Sequence, residues 1–350
     1  MTDVLDSVAR YDGALASVDV DTAVAVVERL LDDGADPVSV LVEVIAAAQR
    51  TVGERWQRGE WTVAEEHAAT AVSVSATEAV ARYVRRTPAT RGRVVVACAE
   101  REWHALPAMI IGTALRADGW DTTLLGASTP PVRLSQYLHD LGPDATAVSC
   151  SVLGALATTR RFIEASTAAG IPVVVGGSAF GRDGLRARAL GATAWAPSAR
   201  EASGIVAGLP TVVPSVPPLS GAAPAEQAAM ELAHHRLVGE LREHWSLAAQ
   251  IVTTAQSPLD SVQVIARDVV NQAVHAVWAA LLTGDPRTLT ETSAWVEELL
   301  RARGVDVGLV AELGSLMARS LHEFPLARDL VEHHWAGGTV RTGTTGTTAR

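Results

Sequence analysis

Apolar positions in the first 88 residues recur every three or four places. The runs "VDTAVAVVERLLDDG" and "DPVSVLVEVIAAAQRTVGERWQRG" each stop near a glycine, as helices do. "TVAEEHAATAVSVSATEAVARYVRR" opens on Thr62 with Glu65 three residues later, the spacing of a capping box. This spacing predicts a four-helix bundle over 1–88. From residue 90 the pattern changes to short apolar runs: "RVVVACA", "DTTLLG", "ATAVSCSVL", "IPVVVGG" and "ATAWAPS". Helical stretches lie between them, so 90–212 reads as a Rossmann-like parallel sheet with helices on both faces. A proline- and glycine-rich linker is expected over 213–225, and helical periodicity returns over 226–337. The tail 338–350, "GTVRTGTTGTTAR", cannot build a core and is expected to be disordered. The fold class predicted is therefore multidomain, α plus α/β.

Composition narrows the chemistry. The 350-residue chain carries a net charge of −10, and all 29 basic residues are arginine. Without lysine there is no Schiff base and no P-loop. Cys98 and Cys150 are the only cysteines, which excludes disulfide scaffolds, iron–sulfur clusters and covalently attached c-type haem. The acidic balance and the lack of a basic cluster argue against a nucleic-acid partner. No apolar run reaches the roughly 18 residues of a membrane span, and the N-terminus lacks the order of a secretion signal. The expectation is a cytoplasmic protein that does not engage membranes.

Three strand ends carry candidate chemistry. "EREWHALP" follows the first strand, and ligands on such sheets sit at the carboxyl ends of strands. Glu102, two residues before His104, suits a carboxylate that orients the ring and frees its other nitrogen for a metal. The plain alternative is an exposed loop histidine. "SCSVL" brings Ser149 and Ser151 to the third strand end. "VVVGG" brings Gly176 and Gly177 to the fourth, where a missing Cβ admits a flat ligand.

Together these residues resemble the cobalamin-binding domain shared by methionine synthases, base-off mutases and corrinoid proteins. That pattern is acid-x-His-x-x-Gly, then Ser-x-Leu, then Gly-Gly. The resemblance implies His104 as lower cobalt ligand, with Glu102 behind it. Ser151 and Leu153 (Ser149 in a rival register), Gly176 and Gly177 would surround the nucleotide tail. Pro107 stands where the family usually has glycine. Earlier, "GERWQRGEWTVAEEH" places nine residues between Trp56 and Glu66-His67. This matches the signature of cobalamin-dependent photoreceptors, and implies Trp56 against the adenosyl group with Glu66 and His67 in the same pocket. Val63, one turn before Glu66, shares that helix face. In the light-sensing repressors a histidine follows the Trp and captures cobalt after illumination. Here Gln57 takes that place, so the response would end otherwise, with water or His67 on cobalt. The repressors also carry an N-terminal helix-turn-helix. This chain begins in the bundle, so the expectation is a light sensor that signals to an unidentified protein partner.

The C-terminal helices are rich in histidine and tryptophan. Arg267, Asn271, His275 and Trp278 fall at helical spacing on one segment, a set suited to propionates and pyrroles. The three-part layout resembles the photocobilins, in which a globin- or phycobiliprotein-like helical domain binds biliverdin. With no cysteine after position 150, biliverdin in that domain would be held non-covalently. The rival readings are a corrinoid carrier for methyl transfer, and a cobalamin sensor with haem or nothing in the C-terminal helices. A protein that keeps the fold without any cofactor is a further rival. A homo-oligomer is compatible with any of them.

Overall fold

The computed structural model describes residues 2–247 and 262–335; the tail expected to be disordered lies outside them. The described residues form two compact units. The first holds residues up to 221 together with 282–285, and the second holds the other described residues from 222 onward.

The first unit opens with helices α1 (Thr2–Ala16) and α2 (Val20–Asp32), the latter capped by the Asp19 side chain, which accepts from the Thr22 N–H at 2.9 Å. Asp36 caps α3 (Pro37–Ser39), whose proline occupies the first turn, where no N–H is needed. A π-helical stretch, Val40–Ile45, continues into α4 (Ala46–Gln57). Helix α5 (Val63–Val84) starts in the capping box expected from its sequence. Thr62 N–H donates to Glu65 at 2.7 Å, and Glu65 N–H donates to the Thr62 hydroxyl at 3.2 Å. Tyr11, Leu15, Val27, Leu31, Leu41, Ile45, Val52, Val72 and Val80 make the core of this bundle. Leu106 and Ile110, from beyond the first strand, belong to the same core. Burying such side chains, at roughly 1.5–3 kcal/mol each, fixes the bundle against the sheet layer.

That layer holds β1 (Arg93–Ala99), β2 (Asp121–Thr129), β3 (Ala145–Ser149), β4 (Val173–Gly176) and β5 (Ala194–Ala196). All are parallel, in the order β2-β1-β3-β4-β5. Helices α6 (Ala105–Ala117), α7 (Pro131–Leu141), α8 (Leu156–Ala168), α9 (Leu185–Ala189) and α10 (Ala199–Ala207) connect or follow them. β1, β3 and β4 are apolar almost throughout because both faces are covered. The order reverses between β1 and β3, which opens a crevice at their carboxyl ends. The apolar run after residue 145 reads as strand through Leu153, yet β3 ends at Ser149. Cys150 N–H still donates to the Gly176 carbonyl at 2.9 Å, whereas the backbone donors of Ser151 and Val152 serve a side chain described below.

The second unit comprises α11 (Ala222–Leu232), α12 (His234–His244), α13 (Val262–Thr283) as far as Leu281, α14 (Arg287–Ala302), α15 (Gly308–Ser320) and α16 (Pro325–His334). Helix α11 begins inside the stretch expected as linker. Pro224 falls in its first turn, where the missing N–H costs no helical bond. Two buried indoles tie the helices together: Trp245 donates to the Leu309 carbonyl at 3.0 Å, and Trp335 to that of Val310 at 2.9 Å.

Candidate functional site

Glu102 is completely buried in the turn after β1, and its two oxygens are shared between two strand ends. Oε1 accepts from the His104 N–H at 2.9 Å and lies 2.6 Å from His104 Nδ1. Oε2 accepts from the backbone N–H groups of Ser151 and of Val152, the latter at 3.2 Å. One carboxylate thus spans the β1/β3 crevice and holds both loops in register. Burial pushes the Glu102 carboxyl up, but the hydrogen bonds from His104 and Ser151 outweigh it and hold it below the usual range. The loop is braced further by β2: Ser128 N–H donates to the Glu102 carbonyl at 2.8 Å, and Arg101 N–H to the Ser128 hydroxyl at 3.2 Å. Arg101 and Ser128 both have positive φ, 71° and 47°. Such backbone costs on the order of 1–3 kcal/mol per residue and persists only where surrounding contacts enforce it.

His104 stands at the N-cap of α6 without capping it, and its side chain is 61% exposed. With Nδ1 engaged by Glu102, Nε2 is left for a ligand. The Glu102 hydrogen bond raises the His104 pKa, burial opposes it, and the charges of Glu102 and then Glu66 add to the rise. Glu66, the last of these, comes from α5 of the bundle.

Beside this loop lies a cavity of about 340 Å³. Val42, Ala46 and Gln49 wall it from the bundle, Leu106, Pro107 and Ile110 from α6, and Ser151, Gly176 and Gly177 from the strand ends. Its lining is apolar except for a few polar groups, as expected of a site for a largely flat organic ligand. Of the two serine registers, Ser151 lines the cavity. Ser149 lies within β3, 1% exposed, its hydroxyl without a hydrogen-bond partner among the described residues. Leu153 is half-buried and starts a 3₁₀ turn, Leu153–Ala155. Gly177 has a first reason in the backbone itself. Its φ is +108°, and a Cβ there would stand 2.3 Å from the Cys150 carbonyl oxygen. At Gly176 the Cβ would meet the Ala196 carbonyl at 3.0 Å.

On the bundle side, Trp56 is half-buried in the last turn of α4, with Gln57 as the final residue of that helix. Val63 opens α5, and Glu66 follows one turn on. His67 is 74% exposed, its Nε2 lying 3.3 Å from Glu66. Two further residues join this group that the motif does not contain. Thr70 donates its hydroxyl to Glu66 at 3.2 Å, and Gln49 donates its amide N–H to Thr70 at 2.6 Å. Their signal was helical spacing: Gln49 precedes Trp56 by two turns, and Thr70 follows Glu66 by one.

The four C-terminal candidates divide. Arg267 is exposed and pairs with Asp268 at 3.7 Å, while Asn271 donates to the Arg267 carbonyl at 3.0 Å, within its own helix. His275 stacks on His234, with ring centroids 5.2 Å apart and planes 8° apart. Trp278, 2% exposed, lies 5.0 Å from each imidazole, and its indole N–H has no acceptor among the described residues. A cavity lined by Met230, Leu237, Leu241, Val277 and Met317 measures about 10 Å³, room for no more than a water. A second cavity of this unit, about 310 Å³, is lined by Ala318, Arg319, His322, Arg328 and Glu332 and by none of the four candidates.

With a half-open imidazole held by a buried carboxylate and an apolar cavity beside it, the comparison with known proteins is direct. Residues 92–205 match the B12 binding domain, and residues 8–80 match a second B12 binding domain model. The chain is 34% identical over 148 residues to the HTH-type transcriptional repressor CarH of Myxococcus xanthus, a match covering 41% of this chain and 48% of CarH. It is 33% identical over 118 residues to the repressor CarA of the same organism, covering 33% of this chain and 40% of CarA. The chain thus matches less than half the length of either repressor. Among solved structures, the Methanosarcina barkeri monomethylamine corrinoid protein is similar at a TM-score of 0.48 and 15% identity, over 56% of this chain and 94% of that one. The methanol:cobalamin methyltransferase complex MtaBC of the same organism gives 0.32 and 20%, over 59% and 82%. Among the described residues no helix is long and apolar enough to cross a membrane.

Proposed function

We propose that this protein is a light sensor that binds adenosylcobalamin between its N-terminal bundle and its parallel sheet. The observation that carries the reading is the Glu102 clamp, which presents His104 at the β1/β3 crevice, two residues before the Leu106–Pro107 wall of the cavity. The residues present suit the cofactor. His104 would hold cobalt from below, and Ser151, Leu153, Gly176 and Gly177 would bound the buried nucleotide tail. Trp56, Val63, Glu66 and His67 would surround the adenosyl group. When bound, the cofactor supplies a light-labile cobalt–carbon bond. The chain's own part is to orient His104 through Glu102, exclude water around Trp56, and respond when the adenosyl pocket empties. That change at the junction of α4 and α5 would be passed to a protein partner.

We extend the reading to non-covalent biliverdin in the C-terminal helices, with His275 and Trp278 as the nearer contacts and Arg267 and Asn271 at the rim. The support is the indole N–H of Trp278, buried without an acceptor beside two imidazoles. The test is reconstitution in darkness with adenosylcobalamin and biliverdin, separately and together, followed by green and red light. Retained cobalamin bands that change under green light support the sensor. Retained bands that no light alters sink it, and loss of biliverdin on desalting removes the second chromophore.

A further inference from the structure

We infer that Gln49 recognises a hydrogen-bond donor on the bound cofactor, a carboxamide N–H of the corrin rim, with Thr70 and Glu66 fixing it in that role. The inference rests on the cobalamin reading and extends it to residues outside both motifs. A carboxylate only accepts hydrogen bonds, so Thr70, 3.2 Å from Glu66 Oε1, must spend its one hydroxyl hydrogen there. The Thr70 oxygen can then only accept from its other neighbour. The Gln49 side-chain atom 2.6 Å away must therefore be the amide nitrogen. The network, not an arbitrary choice of rotamer, leaves Oε1 as the outer end of Gln49. That oxygen is buried and has no hydrogen-bond partner among the described residues, and Gln49 stands on the cavity wall.

A buried carbonyl left without a donor is destabilising, so the group that completes this site has to donate. Corrin carries primary carboxamides around its rim, each with two N–H donors. A carboxylate in the same place would set acceptor against acceptor. Gln49 would then read amide against acid, and Thr70 would stop its side chain from flipping to accommodate the acid.

The experiment uses the full chain and compares wild type, Gln49→Met and Thr70→Val. The probes are hydroxocobalamin and a panel of cobalamins, each with one rim carboxamide hydrolysed to carboxylate. Wild type should bind one member of the panel at least about tenfold more weakly than hydroxocobalamin, the scale of one lost and one repulsive contact. Gln49→Met, close in volume, should weaken hydroxocobalamin by about three- to tenfold and level the panel to within about twofold. Thr70→Val should level the panel as well, because the freed amide can turn. Should Gln49→Met fail to fold, Thr70→Val alone decides. Equal binding of the whole panel by wild type, or unchanged selectivity in the folded variants, overturns the inference while leaving the cobalamin reading intact. Failure of wild type to retain hydroxocobalamin overturns both.

Discussion

At the scale of single residues, the site depends on one carboxylate satisfied four ways. Replacing Glu102 by Gln removes the charge and puts an amide NH₂, a donor, where one of the two carboxylate oxygens accepts. Cobalamin affinity should fall by about 10- to 100-fold, the usual loss when the partner of a metal-ligating histidine is altered. Titration of hydroxocobalamin into the variant measures it, and an affinity within twofold of wild type would show that His104 needs no such support. Trp56→Ala should weaken adenosylcobalamin more than hydroxocobalamin, since only the former places an adenosyl group against the indole. Equal losses would remove Trp56 from that role. Alkaline pH acts elsewhere. Burial raises the Tyr11 phenol to about 12, against a weaker pull from its Ser73 bond, and burial likewise raises the Cys98 and Cys150 thiols to about 12. For a group with a raised folded pKa, the stabilisation is complete below the unfolded value and is lost as pH rises toward the folded one. Stability should therefore fall from about pH 9 upward, Tyr11 alone contributing on the order of 2–3 kcal/mol by pH 12. Urea midpoints measured against pH should decline less steeply in Tyr11→Phe than in wild type.

At the scale of elements, what the sequence made legible was what local physics decides alone. The Thr62–Glu65 capping box and the β1 run Arg93–Ala99 are visible because propensity, capping and burial on both faces agree. Thr62→Ala should cost about 1 kcal/mol, read as a lower unfolding midpoint. Less legible was the end of β3. Cys150 and Val152 are as apolar as strand residues, but Ser151 and Val152 owe their backbone donors to Glu102, 49 and 50 positions earlier. No periodicity carries that information. Gly177 is the reverse case, a residue singled out for an incomplete reason. Ligand clearance was the expectation, whereas the positive φ and the Cys150 carbonyl already demand glycine. Gly177→Ala should accordingly destabilise the apoprotein by several kcal/mol, which a purely ligand-facing glycine would not do. Thermal unfolding without cofactor separates the two.

At the scale of the whole molecule, contacts distant in sequence set what pattern reading misses. Arg186 and Asp285 are 99 positions apart, both about 2% exposed, and joined within the first unit by a 2.8 Å ion pair. Asp285→Ala would strand a buried guanidinium and should cost about 3–5 kcal/mol. The Gln49–Thr70–Glu66 chain is another such contact, made only where α4 and α5 lie side by side. In the second unit, helical spacing put Arg267, Asn271, His275 and Trp278 on one helix. Three-dimensional packing gave His275 and Trp278 a neighbour, His234, from a different one.

Everything proposed for the first unit turns on whether His104 binds cobalt. Electron paramagnetic resonance of the protein loaded with cob(II)alamin decides this, using protein labelled with ¹⁵N in histidine only and unlabelled cofactor. Histidine ligation predicts that the nitrogen splitting on the cobalt lines changes from a triplet in unlabelled protein to a doublet in labelled protein, and that His104→Ala abolishes the doublet. A triplet that persists in the labelled protein would mean that the cofactor's own base remains on cobalt, and would contradict the account.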